Sequence, residues 1–252
     1  MLWKACPKKG KMSKKRYSHI FFDLDNTLWD FHTNSFHALH AAFQKFPELN
    51  ESTDFTLFFN TYSKYNHELW EAYRNKKVVK KELVRQRFQK TFHELNVSGV
   101  DAGEMNSLYL NEMPKQKKLV EGAIELLEYL TVKGYSLLII TNGFREVQFK
   151  KLEVTGLAKY FNKVFISEDI QSPKPHRQIF EYAAKSSNAP KNKSLMVGDD
   201  WEVDIKGATD FGIDAVFYIA GKQNDEQKIK FIKQNRNLVY LVDKLIDLKR
   251  IL

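Results

Sequence analysis

Three apolar runs of strand length, each ending in residues that can do chemistry, constrain this chain more than any other feature. His19-Ile-Phe-Phe22 runs into Asp23-Leu-Asp25-Asn-Thr27, Leu137-Leu-Ile-Ile140 into Thr141-Asn142-Gly143, and Leu195-Met-Val197 into Gly198-Asp199-Asp200. From Val120 onward the order reads helix, strand to Ile140, helix from Arg145, strand near Val164, helix from Arg177, strand to Val197, helix from Glu202 and strand near Val216. A short strand at Leu238–Tyr240 and a terminal helix follow. Such alternation predicts the α/β class, with a doubly wound parallel sheet and right-handed crossovers. In sheets of this kind ligands bind outside the carboxyl ends of the strands.

Between the first strand and Val120 the alternation stops. Phe36, Leu39, His40 and Phe43 follow helical spacing, as do Phe55, Phe58, Phe59, Tyr62, Leu69, Trp70 and Tyr73. Leu83, Phe88, Phe92 and Leu95 mark another helix, and Leu108 and Met113 a further one. Residues 33–115 therefore read as an inserted all-helical cap, and residues 17–32 and 116–252 as the α/β core. The aromatic stripe is expected to pack inside the cap. Arg74, Lys76, Lys77, Lys80, Lys81, Arg85, Arg87 and Lys90 are faced by a single acid, Glu82. That run is either a solvated helix face or a patch that steers anions inward. Trp29 and Phe31 read as hinge or core residues.

Strand side chains alternate with period two, so Asp23 and Asp25 can point the same way past the last rung of their strand. Two carboxylates there repel unless a cation or a shared proton relieves them. A divalent metal with one carboxylate left for chemistry fits; an acidic loop is the plainer reading. A strand tip that feeds a helix N-terminus, as at Thr141-Asn142-Gly143, offers backbone N–H groups and partial positive charge suited to an oxyanion or phosphate. In Ser172-Pro173-Lys174-Pro175 the flanking prolines stiffen one lysine into a fixed point charge. Gly198-Asp199-Asp200 with Asp204 is either a carboxylate cluster or a helix N-cap. Acid pair, Thr-Asn-Gly, Lys and acid cluster occur in that order, three of them where an apolar strand ends.

With these four motifs, from Tyr17 onward, the chain resembles the haloacid dehalogenase superfamily of phosphatases. Ile140-Thr-Asn-Gly-Phe144, Leu152-Glu-Val-Thr-Gly156-Leu and Phe165-Ile-Ser-Glu168-Asp169 look most like its house-cleaning pyrimidine 5′-nucleotidases. The resemblance implies a Rossmann-like core and a role for each motif. Asp23 would be the nucleophile that becomes an aspartyl-phosphate, and Asp25 the general acid and then base. Thr141, Asn142 and Gly143 would hold phosphate oxygens, and Lys174 would neutralise the phosphate and orient Asp23. Mg²⁺ would be held by Asp23, Asp199 and the Asp25 backbone carbonyl, and Asp204 would bind the metal or its waters or pair with Lys174; which of Asp199, Asp200 and Asp204 touch the metal directly is open. The implied partner is a small phosphorylated substrate, with pyrimidine nucleoside 5′-monophosphates favoured. For one or two of the cap aromatics, stacking on a base at the cap–core cleft is the alternative to packing in the cap core. Phosphoglycolate or sugar-phosphate hydrolysis, phosphomutation, dehalogenation and nucleic-acid binding are the alternatives.

Composition narrows the choice. With 252 residues, 43% hydrophobic and 28% charged, the chain is long enough for a sizeable core. A single cysteine, Cys6, excludes an internal disulfide and a cysteine metal cluster, which suits the cytoplasm. No apolar run approaches the ~20 residues that span a bilayer, so no membrane partner is expected. Of the +9 net charge, +7 falls on Lys4, Lys8, Lys9, Lys11, Lys14, Lys15 and Arg16, which leaves +2 for the rest. Residues 1–16 thus read as a disordered basic extension, with Met12 as an alternative start. The near-neutral remainder argues against a nucleic-acid partner. The histidines lack metal spacing, and no Gly-x-Ser-x-Gly, P-loop or Gly-x-Gly-x-x-Gly occurs, so a nucleotide here would be substrate rather than cofactor.

Overall fold

In a computed structural model that describes residues 15–220 and 230–252, the strand ending at Asp23 lies at the centre of the sheet. β1 (His19–Phe22) pairs in parallel with β2 (Ser136–Thr141) on one side and β4 (Ser194–Gly198) on the other, with His19 opposite both Ser136 and Ser194. β3 (Lys163–Ile166) extends the sheet beyond β2, and β5 (Asp214–Tyr218), β7 (Asn237–Val242) and β6 (Lys230–Gln234) extend it beyond β4. The strand order reverses at β1, so the tips of β1, β2 and β4 open onto a topological switch point. Among the described strands only β6 runs antiparallel, paired with β7 through a turn at Asn235 and Arg236, whose φ values are 47° and 71°. That hairpin is an addition to the parallel sheet expected from sequence.

The period-two alternation sorts the strand residues onto two faces. Ile20, Phe22, Leu137, Ile139, Leu195 and Val197 pack on one side, with α6 (Ala123–Val132) and the buried residues of α7 (Arg145–Val154). Phe21, Leu138, Ile140 and Met196 pack on the other, against α9 (Arg177–Ser186) and α10 (Lys206–Phe211). A four-residue helix, α8 (Ser167–Ile170), follows β3 directly. Parallel strands covered on both faces are apolar along their whole length, as these are.

The helical block starts at Phe31, two residues before the expected boundary, because Asp30 caps it by accepting from Thr33 N (2.9 Å). It comprises α1 (Phe31–Phe43), α2 (Pro47–Ser52), α3 (Phe55–Arg74), α4 (Lys80–Glu94) and α5 (Ala102–Glu112). Phe58, Phe59, Tyr62, Leu69, Phe88 and Phe92 are buried together, so the aromatic stripe packs inside as expected. At the C-terminus a 3₁₀ segment, Leu245–Arg250, stands where a helix was expected. Most of the basic extension, residues 1–14, lies outside the described residues. Within it, Arg16 is anchored, pairing with Asp214 at 3.0 Å. No helix among the described residues is long and apolar enough to cross a membrane.

Close packing on the second face holds the lysine loop in place. A Cβ built on Gly207 in α10 would stand 2.7 Å from the Phe180 ring and 3.0 Å from the Pro175 backbone. Gly207→Ala should therefore cost about 1–3 kcal/mol through overpacking. A urea transition with a lower midpoint and an unchanged slope would show it.

Candidate active site

The turn after β1 is closed by its own backbone. Asp23 N donates to Val197 O (2.9 Å) and continues the ladder, Asn26 N donates to Trp29 O (2.7 Å), and Leu28 N and Trp29 N both donate to Leu24 O (2.9 Å each). Asn26 takes the left-handed conformation (φ 58°), which asparagine tolerates better than most residues. Leu24, Leu28 and Trp29 are fully buried and pin the loop, so Asp23 and Asp25 project from a fixed frame. Trp29 is thus a core residue, while Phe31 lines the cavity above.

Lys174 is the hub of the charge cluster. Its Nζ donates to Asp23 Oδ1 (2.5 Å) and to Asp204 Oδ1 (2.7 Å), with the lysine 1% exposed. The prolines on either side shape its loop, and Asn142 braces it from the tip of β2. Asn142 Oδ1 accepts from Lys174 N (2.8 Å), and its Nδ2 donates to Lys174 O (3.0 Å). The Asn142 side chain is therefore committed to the lysine loop and leaves only its backbone to face a ligand. Thr141 Oγ1 accepts from Gly143 N (3.1 Å) and from Gln148 Nε2 (2.7 Å).

Asp199 and Asp204 complete the cluster with Asp23; one carboxylate oxygen from each lies within 4.8 Å of the others. After β4, a wide π-helical turn, Trp201–Ile205, carries Asp204 back beneath the strand tip. Gly198 makes room for it: a Cβ there would stand 2.3 Å from Asp204 Oδ2. Asp200 turns away to cap this segment, its Oδ1 accepting from Val203 N (3.0 Å). Asp204 Oδ2 accepts from Asp200 N (3.2 Å), so both Asp204 oxygens have protein donors. Asp199 Oδ1 accepts from Thr27 Oγ1 (3.0 Å). Among the described residues, the second oxygens of Asp23 and Asp199 receive no donor.

Burial pushes the Asp23 carboxyl well above its usual range, opposed by Lys174 and reinforced by the neighbouring carboxylates. Burial likewise raises Asp204, against the pull of Lys174. Asp199 is pushed up to about 7 by burial and then by Asp204. Three carboxylates share one lysine, so charge remains uncompensated.

Asp25 sits apart from that cluster and has its own partners. Lys151 Nζ donates to its Oδ1 (2.6 Å) and Gln148 Nε2 to its Oδ2 (2.8 Å). Lys151 is 2% exposed and lies 3.9 Å from the centre of the Trp29 ring. Burial lowers its pKa, which the Asp25 charge opposes. Gly143 makes the Gln148 contact possible, since a Cβ there would stand 2.3 Å from Gln148 Nε2. Above these groups is a cavity of about 320 Å³ lined by Asp23, Asp25, Thr141 and Lys174 below and by Phe59, Tyr62, Asn66, Trp70 and Arg74 of α3 above.

Residues 17–212 match the family model of the haloacid dehalogenase-like hydrolases. The chain belongs to this family. It is 36% identical over 201 residues to the pyrimidine 5′-nucleotidase YjjG of Escherichia coli, covering 79% of this chain and 84% of that one. It is 33% identical over 203 residues to the pyrimidine 5′-nucleotidase PynA of Streptococcus pneumoniae, covering 80% and 84%. Its structure superposes on that of the putative HAD-hydrolase YfnB of Bacillus subtilis, solved bound to magnesium, with a TM-score of 0.81 at 26% identity, covering 94% of this chain and 99% of that one. The chain is a phosphoric monoester hydrolase of the haloacid dehalogenase-like family.

All the site residues expected from sequence in this haloacid dehalogenase-like chain gather at the three strand tips. Gln148 and Lys151 were not expected there. The available signal was two polar residues on the inward face of α7, beside Val147 and Leu152. The basic run is not one surface either. Arg87 is buried, Arg74 lines the cavity, and Lys80 pairs with Glu146 and Glu168 at 2.9 Å each. Oxygen-only donors carrying excess negative charge fit a hard divalent cation such as Mg²⁺.

Because Asp199 titrates near 7 when folded against 3.8 ordinarily, the folded metal-free protein holds more protons than the unfolded chain between those values. This cluster therefore stabilises less as pH rises through that window. Mg²⁺ should raise Tm more at about pH 7.5 than at about pH 5, and Asp199→Asn should flatten the difference. Thermal scans with EDTA or Mg²⁺ at both pH values decide; an equal Mg²⁺ increment at both would contradict the assignment.

Proposed function

We propose that this chain is a Mg²⁺-dependent phosphatase of pyrimidine nucleoside 5′-monophosphates that works through an aspartyl-phosphate on Asp23. The observation that carries the reaction is the buried Lys174 held on Asp23 beside Asp199 and Asp204, with Asp25 across the same cavity. The nucleotide preference rests on the likeness to the two pyrimidine 5′-nucleotidases and on a cavity lined by the half-buried Trp70, against which a base can stack.

Asp23 Oδ2, which has no protein donor, would attack phosphorus as the ester P–O bond breaks. Asp25 would give its proton to the departing 5′ alkoxide. A water would then attack the acyl phosphate and pass a proton to Asp25, releasing phosphate and restoring the Asp23 carboxylate. Mg²⁺, held by Asp23, Asp199 and the Asp25 carbonyl and steadied by Asp204, would supply charge that offsets the phosphoryl oxygens. Lys174, held on Asp23 Oδ1, adds one fixed positive charge. Lys151 and Gln148 hold both oxygens of Asp25, fixing its direction towards the leaving group. General acid–base help of this kind typically contributes about 10²–10⁴-fold.

Phosphate release should be measured with Mg²⁺ across nucleoside monophosphates, sugar phosphates and phosphoglycolate. UMP, dUMP and dTMP should lead, EDTA should silence the enzyme, and Asp23→Asn should fall to background while melting normally. Turnover that persists in folded Asp23→Asn would remove the nucleophile assignment. A lead for sugar phosphates would keep the mechanism and replace the substrate.

A further inference from the structure

Behind Asp25 the main cavity has a side pocket. It has a volume of about 40 Å³ and reaches between α4, α5 and α7, with Asp25, Phe31, Trp70 and Gly143 as walls common to both spaces. Arg87, Tyr109 and Gln148 also line it, and each carries a buried polar atom without a hydrogen-bond partner: Arg87 Nε, Tyr109 Oη and Gln148 Oε1. These residues are 3%, 1% and 0% exposed, so bulk water does not satisfy them. An unsatisfied buried donor or acceptor costs about 1–3 kcal/mol. Three on one small pocket mark a place built for a ligand's polar edge or for trapped water.

The surroundings select what that edge is. Arg87 Nη1 donates to Asn66 Oδ1 (3.0 Å) and Nη2 to Asn106 Oδ1 (2.6 Å), and no carboxylate pairs with it among the described residues. Tyr62 is the polar neighbour of Tyr109 and interacts weakly with its hydroxyl, but the Tyr62 hydroxyl itself donates to Asn66 Oδ1 (3.3 Å). Lys151 also lines the pocket and pairs with Asp25 (2.6 Å), so those two charges offset each other, and the Arg87 charge is already shared with Asn66 and Asn106. Arg87 Nε and Tyr109 Oη donate and Gln148 Oε1 accepts, because its amide nitrogen is spent on Asp25 and Thr141. The complement is a neutral edge with two acceptors and one N–H.

We infer that Arg87 and Tyr109, with Gln148, form the subsite that reads the base of the leaving nucleoside. This deepens the nucleotidase reading and rests on it. Substrates would be read through the same wall that positions the general acid, so a base seated there also aligns the 5′ oxygen with Asp25.

The test compares kcat/KM for dUMP with that for 2-deoxyribose 5-phosphate, in which a hydroxyl replaces the base at C1. In the wild type the ratio should be well above one. Tyr109→Phe removes a hydroxyl with no well-formed hydrogen bond among the described residues, so its Tm should change little, while the ratio falls about tenfold. Arg87→Lys keeps the charge but loses Nε, and should lower the ratio similarly; if it fails to fold, Tyr109→Phe alone decides. An unchanged ratio in folded Tyr109→Phe would overturn the subsite and assign the three atoms to trapped water. A wild type that prefers phosphates without a base would overturn the subsite and the nucleotide reading together, whereas a base-preferring wild type with an insensitive Tyr109→Phe would sink the subsite alone.

Discussion

The buried bridge from Lys174 to Asp23 and Asp204 is the constraint around which the rest is arranged. Placing an ammonium and two carboxylates away from water costs several kcal/mol per ion unless each finds partners. The fold supplies those partners from four separate segments. β1 brings Asp23, and the π-helical turn after β4 brings Asp204. The proline-flanked loop brings Lys174, and Asn142 at the tip of β2 locks that loop by two backbone contacts. Two glycines are required by the same geometry, Gly198 to admit Asp204 and Gly207 to let α10 approach the loop. The bridge leaves one net negative charge and Asp199 adds another, so the cluster is prepared for a dication rather than neutral by itself.

A second, smaller charge pair is kept separate from the first. Lys151 pairs with Asp25, Gln148 links Asp25 to Thr141, and Lys151 is shielded under the Trp29 ring. The separation lets two aspartates two residues apart have different environments, one tied to the Lys174 and Asp204 cluster and one held by Lys151 and Gln148. Environment, not residue type, divides such roles between paired carboxylates.

The parts legible in the sequence are those set by local pattern. Apolar runs ending in Asp23, Thr141 and Gly198 gave strand tips, and parallel alternation brought the tips to one edge. What escaped detection depends on tertiary placement. Gln148 and Lys151 belong to an ordinary-looking amphipathic helix, and only the register of α7 against β1 turns them towards Asp25. Arg87 sits in a basic run that reads as a solvated face; its burial follows from Asn66 on α3 and Asn106 on α5, far apart in sequence. The β6–β7 hairpin was hidden because its turn uses Asn235-Arg236, where left-handed backbone is usually signalled by glycine.

The helical block and the sheet meet where recognition and chemistry must be coupled. Trp70 of α3 lies against Phe144, 4.9 Å between ring centres, and Lys80 at the start of α4 reaches Glu146 and Glu168 beside the β2 and β3 tips. Phe144 directly follows Gly143, whose bare backbone admits Gln148 to Asp25. A shift of α3 or α4 would therefore be felt within a few residues of Asp25. Exposed ion pairs such as those of Lys80 contribute little stability individually, so this junction rests mainly on its apolar contacts, whereas the buried Lys174 bridge fixes the Asp23 carboxylate independently of it.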